Sequence, residues 1–179
     1  MIIEDIVESV GEHMFSGEDL KVFAVLDGAS VKGLLDKLYD LTPNFCCLFR
    51  GELAPDMAEV APYLVELEPG SEFTNWVIDQ GWGNHWGIFA ATDGDLRAMA
   101  RHFRAFLIVY DETGRPLRFR YYDPRVLRTY LPTCNAEELA AVFGPVTSFF
   151  LEDQDPATAL RFQMESGSLV EKKISISRA

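Results

Sequence analysis

Hydrophobic positions in this chain switch repeatedly between the helical period and the extended one. Ile3, Ile6, Val7, Val10 and Met14 recur at helical spacing with acids on the other side, which predicts an amphipathic helix over residues 2–15. Val22, Phe23, Ala24, Val25 and Leu26 form an unbroken apolar run, as in a strand covered on both faces, and it stops at the turn pair Asp27-Gly28. Val31, Leu34, Leu35 and Leu38 make the apolar stripe of a helix beginning near Ser30. Two more buried strands are expected over residues 45–49 and 63–67, with a short turn-like piece bracketed by Pro55 and Pro62 between them. Ser71 offers a cap to a helix through Phe73, Trp76 and Val77 that Gly81 closes. Strand, helix, strand, helix is the rhythm of an α/β protein.

The second half repeats it. A loop rich in glycine and tryptophan, residues 82–87, leads into a fourth strand over residues 85–91. Thr92 or Asp93 then caps a helix whose Leu96, Met99, Ala100 and Phe103 face inward, while Arg97, Arg101 and Arg104 share another face. Residues 106–110 and 117–122, joined around Thr113-Gly114, predict a β-hairpin. From Arg118 to Tyr122 charged and aromatic residues alternate, the mark of a half-exposed strand. Asp123 then caps a helix and Pro124 occupies its first position. That helix buries Val126, Leu127, Tyr130 and Leu131 and exposes Arg125 and Arg128. Asn135 and Glu138 have the spacing of a capping box, Gly144-Pro145 ends their helix, and residues 147–151 return to strand. Beyond an acidic turn over residues 152–156, alternation around Ser166-Gly167 predicts a terminal hairpin. The expected fold is α/β, a mixed sheet with flanking helices. Residues 1–19 form an N-terminal helix, 20–151 the main domain and 152–179 a short extension.

Composition adds a charge asymmetry. The 179 residues carry a formal net charge of −12, which disfavours nonspecific attraction to nucleic acid or anionic membrane. Residues 1–80 hold sixteen acids against four Lys and Arg, whereas residues 81–130 hold eight Arg against five acids. These halves either pair internally or present a partner with faces of opposite sign. Cys46, Cys47 and Cys134 are odd in number and lack CxxC spacing, so neither a disulfide framework nor a zinc site is indicated. The N-terminus lacks the pattern of a signal peptide, and no apolar run approaches the ~20 residues that span a bilayer, so a cytoplasmic protein is expected.

No P-loop, GxGxxG, GxSxG or HExxH occurs. His13, His85 and His102 are never at metal-ligand spacing. Asp27, at the end of an apolar strand, is either a turn residue or a carboxylate for a hydrolase that uses a histidine brought near by folding. Glu152, Asp153 and Asp155 read as a solvated acidic turn. Arginines and aromatics over residues 118–128 suit protein recognition, with Trp82, Trp86 and Phe49 as further anchors if exposed and as core residues if not. On this reading Arg97, Arg101, Arg120, Arg125 and Arg128 build a basic edge, Arg118 adjoins it, and Asp123 either joins it or chiefly holds its helix and a neighbouring arginine.

Several segments, in order, resemble one family. They are Val22-Phe23-Ala24-Val25-Leu26-Asp27-Gly28-Ala29, Leu48-Phe49-Arg50-Gly51, Ala61-Pro62-Tyr63-Leu64-Val65, the run from Arg118 to Leu127, and Phe143-Gly144-Pro145-Val146. Together, over about residues 20–150, they look like the effector adaptors (chaperones) of bacterial type VI secretion. The resemblance implies a non-enzymatic cytoplasmic protein without cofactors. It would bind one cognate effector and help load it onto the VgrG or PAAR spike, with no nucleic-acid or membrane partner. Members of that family commonly continue into a longer variable C-terminal region than the 30 or so residues that follow the shared part here.

Overall fold

The computed structural model describes residues 2–177. Seven strands form one sheet in the order β2-β3-β1-β4-β7-β8-β9, and every pairing in it is antiparallel. β1 (Lys21–Asp27) lies between β3 (Pro62–Leu67) and β4 (Gly87–Thr92), so both its faces and both its edges are covered. That position explains its uninterrupted apolar run. Phe23 and Val25 point into one core with Phe103, Tyr121, Leu127 and Phe149. Val22, Ala24 and Leu26 point into the other with Leu38, Phe73, Val77 and Phe150. The sheet is thus the middle of three layers. α1 (Ile2–Met14), α2 (Leu34–Leu41) and α4 (Glu72–Gly81) cover one face; α5 (Leu96–Arg104), α6 (Pro124–Tyr130) and α7 (Ala136–Phe143) cover the other.

The α/β class and the flanking helices are as the sequence led us to expect, but the sheet, expected to be mixed, is antiparallel throughout because each strand pairs with a neighbour running the other way. The caps agree in atomic detail. Ser71 Oγ accepts from Thr74 N, Asp123 accepts from Arg125 N, and Asn135 and Glu138 complete a reciprocal capping box. Val10 and Met14 of α1 are buried; the side chain of Ile3 lies outside the described residues. The terminal hairpin consists of β8 (Thr158–Glu165) and β9 (Ser168–Ser175), and it extends the main sheet through β7 (Ser148–Glu152). Arg161 of β8 donates to His13 O and Ser16 Oγ, and Ser177 N donates to Ser9 Oγ, so the two ends of the chain are tied together.

Five local expectations change. α2 starts at Leu34, because Asp27 draws residues 28–31 into a turn and Gly33 is left-handed, with φ 73°. β2 (Phe45–Cys47) is a half-buried three-residue strand at the sheet edge, where one side has no partner to bury it. The piece after Pro55 is a helix, α3 (Pro55–Val60), with the proline at its start. Asp95, rather than Thr92 or Asp93, caps α5; Thr92 still belongs to β4, and its hydroxyl donates to Pro145 O. β4 itself begins at Gly87, because His85 is left-handed, with φ 59°, and turns the chain into the sheet.

No helix among the described residues is long and apolar enough to cross a membrane. Gly87 marks a close approach that only glycine allows, since a Cβ there would lie 2.2 Å from the carbonyl oxygen of Val25. Gly87→Ala therefore has to push β1 and β4 apart, and it is expected to cost roughly 1–3 kcal/mol in urea unfolding. Gly114→Ala in the exposed hairpin turn meets no atom within 4 Å. Its cost comes from the left-handed backbone alone, about 1 kcal/mol.

Candidate partner-binding surface

The ends of β1, β3, β4 and β7 meet at one end of the sheet, and the arginine-rich segment crosses it. Three carboxylates are buried in or beside this region: Asp27, Asp123 and Glu152 are 1, 5 and 4% exposed. Asp27 accepts from Ala29 N, Ser30 Oγ and the Arg120 guanidinium. Asp123 takes a bidentate pair from Arg125, at 3.0 and 2.8 Å, besides capping α6. Glu152 accepts from the backbone N–H groups of Gly83 and His85 and pairs with His85 Nδ1. It is therefore a fixed strand-end residue, not part of a solvated acidic turn. Arg128 donates to the Glu152 carbonyl at 3.4 Å.

The strand expected over residues 118–122 is cut short for the same reason. β5 (Ile108–Tyr110) and β6 (Pro116–Arg118) make a two-stranded ribbon, and after Arg118 the chain turns inward. Tyr121 and Tyr122 are consecutive yet both buried, which an alternating strand excludes. Tyr121 donates to Phe103 O and stacks on its ring, and burial pushes its phenol well up. Burial alone would raise the Asp123 carboxyl, but the hydrogen bonds from Arg125 outweigh it and hold the group below the usual carboxylate value.

The remaining arginines behave differently. Arg97, Arg101 and Arg104 of α5 line an open depression with Cys46, Phe49 and Arg50, about 640 Å³ in volume. Arg104 is anchored, donating to Cys47 O and Leu48 O. Among the described residues Arg50, Arg97, Arg101 and Arg118 have no ion-pair partner. Arg118 lies over the Phe49 ring, 4.7 Å from its centroid. A neighbouring groove of about 590 Å³ shares Phe49, Arg50 and Arg104 and continues to Leu53, Met57, Ile108 and Tyr110.

The proposed basic residues thus divide into two groups. Arg120, Arg125 and Arg128 are committed to the strand ends and the α6 cap, whereas Arg97, Arg101 and Arg118 stand around Phe49. Trp82 is a core residue: it is 6% exposed, stacks near Phe89 and Phe150, and its indole N–H donates to Pro156 O at 2.8 Å. Trp86 is half-buried against Trp76. Neither His85 nor His102, the histidines that would serve a hydrolase, bonds to Asp27, since His85 pairs with Glu152 and His102 Nε2 donates to Val142 O. Sequence reasoning missed the ribbon's exposure. Ile108, Val109, Tyr110 and Leu117 are apolar on both of its faces, and an apolar strand reads as buried until its neighbours are known.

A family model described as a domain of unknown function, DUF4123, matches residues 22–141. The chain belongs to the DUF4123 family. The matched part of this DUF4123 protein contains β1, the two Asp–Arg pairs, α5 and the whole ribbon, and it leaves out α1 and β7 to β9. A stretch of 73 residues is 40% identical to glycine–tRNA ligases of Staphylococcus aureus strains JH9 and Newman. That stretch is 41% of this chain and 13% of those ligases, and the similarity is one of a short segment only. No solved structure matches the DUF4123 protein.

Two outcomes follow for stability. Arg120→Ala removes the one cationic partner of a buried carboxylate that keeps two other hydrogen bonds, and half of the arginine side chain is in solvent. We expect a loss of roughly 1–3 kcal/mol in urea unfolding, with Asp27→Asn/Arg120→Ala costing less than the sum of the single changes. The depressed Asp123 carboxyl gives a pH dependence of definite sign. As pH falls, the unfolded chain takes up this proton first, so the pair's contribution is complete above about pH 4 and fades as pH drops through the lower folded value. Unfolding at pH 5 and pH 3 should accordingly show a smaller loss for Asp123→Asn than for the parent protein.

Proposed function

We propose that this protein is a non-enzymatic cytoplasmic adaptor that binds a cognate type VI secretion effector and helps load it onto a VgrG or PAAR spike. The reading rests on the DUF4123 match together with the ordered segments that resemble type VI adaptors. One observation carries it beyond resemblance: among the described residues four arginines without ion-pair partners stand with Phe49 beside an apolar ribbon, Arg118 lying over its ring, all within the matched segment. Arginine and large apolar side chains together are the usual anchors of protein recognition. The hydrolase alternative has little support. Both oxygens of Asp27 are directed at Ala29, Ser30 and Arg120, and its carboxylate lies inside the protein.

The test is co-expression of the tagged protein with the products of adjoining genes, followed by size-exclusion chromatography. A stoichiometric complex with a toxin-like or spike-tip protein is the expected result, and failure to bind any of them overturns the reading. Arg97→Glu/Arg101→Glu is expected to leave the melting temperature unchanged within error and to weaken that complex by about tenfold or more. Arg120→Glu/Arg125→Glu is a poor probe of binding, because it places like charges against Asp27 and Asp123.

A further inference from the structure

We infer that the continuous groove between the β5–β6 ribbon and the α5 arginines takes one segment of a partner protein that carries a large apolar anchor next to acidic residues. This deepens the adaptor reading and rests on it for the identity of the partner. The two halves of the groove differ in chemistry while sharing the wall of Phe49, Arg50 and Arg104. One end is apolar, built by Leu53 and Met57 of the α3 arm and by Ile108 and Tyr110 of the ribbon. The other is cationic, with Arg97 and Arg101 on successive turns of α5.

Exposure of apolar groups is concentrated here. Among the described residues eight large hydrophobic side chains are exposed, and five of them, Met57, Ile108, Val109, Tyr110 and Leu117, belong to the groove or its ribbon. Tyr110 is 70% exposed. A two-stranded ribbon with apolar residues on both faces is marginal in water by itself and gains by being covered.

Charge selects the occupant. Although the chain has 28 acids against 16 Lys and Arg, among the described residues Arg97 and Arg101 stand one turn apart with no ion-pair partner. Such a cluster favours a carboxylate-bearing partner by complementarity and repels a basic one. A nucleic acid fits less well, since half of the groove offers aliphatic side chains where a phosphate chain would need cations, and the protein as a whole repels polyanions. A second copy of this chain is the remaining occupant.

The probe is a phage-displayed library of random twelve-residue peptides selected on the purified protein, followed by binding of the recovered peptides as synthetic fluorescent probes. The expected peptides pair a Leu, Phe or Trp with two or more Asp or Glu. Their affinity should fall about tenfold or more in Tyr110→Ser and in Arg97→Glu/Arg101→Glu, and it should weaken with salt only through the acidic end. All three positions are exposed, so circular dichroism melting should match that of the parent. Peptides lacking this pattern, or binding unchanged by both variants, overturn the inference. So does single-stranded oligonucleotide binding that the same variants abolish, or a dimer in sedimentation that they dissociate. In the cargo complex, full binding by both variants overturns the groove and leaves the adaptor reading standing. Peptide binding without any cargo complex does the reverse.

Discussion

A carboxylate inside a protein has to be matched, and three of them, at the ends of two strands and at the α6 cap, dictate how the middle of the chain runs. Asp27 ends the central strand, Glu152 ends β7, and Asp123 starts α6. Each is nearly sealed from water, so each needs donors supplied by the fold. Arg120, in the segment that links the ribbon to α6, and Arg125, in the first turn of α6, reach two of them, and the loop after α4 wraps its N–H groups around the third. The loop around His85, the turn after β1 and the inward step after Arg118 are all consequences of this matching.

The same requirement divides the arginines by purpose. Those that satisfy buried acids are unavailable to a partner, and charge reversal there disturbs folding first. Those around Phe49 satisfy no carboxylate. Arg104 is an intermediate case, fixed by two carbonyls of the β2 edge so that its guanidinium forms the shared wall of the groove. In the proposed groove the wall formed by Arg104 is thus held by backbone while the space above it is open, an arrangement that would lower the ordering cost of association.

The edges of the sheet support this division. β2 is only three residues long and has α5 and the Phe49 arm beside it, so the groove forms where the sheet stops. At the far edge β8 and β9 continue the sheet, outside the DUF4123 match, and charged Glu171, Lys172 and Lys173 on β9 discourage further pairing.

What the sequence by itself determined was local. The apolar run of β1, the stripes of α1 and α5, and the caps at Ser71, Asp123 and Asn135 depend on residues within a few positions of one another, and such signals survive any tertiary arrangement. The α/β class followed from their order. What only the tertiary structure decided was which charges and apolar groups have partners. Glu152 meets His85 across 67 residues and Arg120 meets Asp27 across 93, separations that no periodicity reports. Trp82 caps the end of α4 and Tyr110 ends β5, yet one aromatic is sealed under the sheet and the other stands in water. That difference comes from long-range packing around each residue, and it is where the candidate surface was settled.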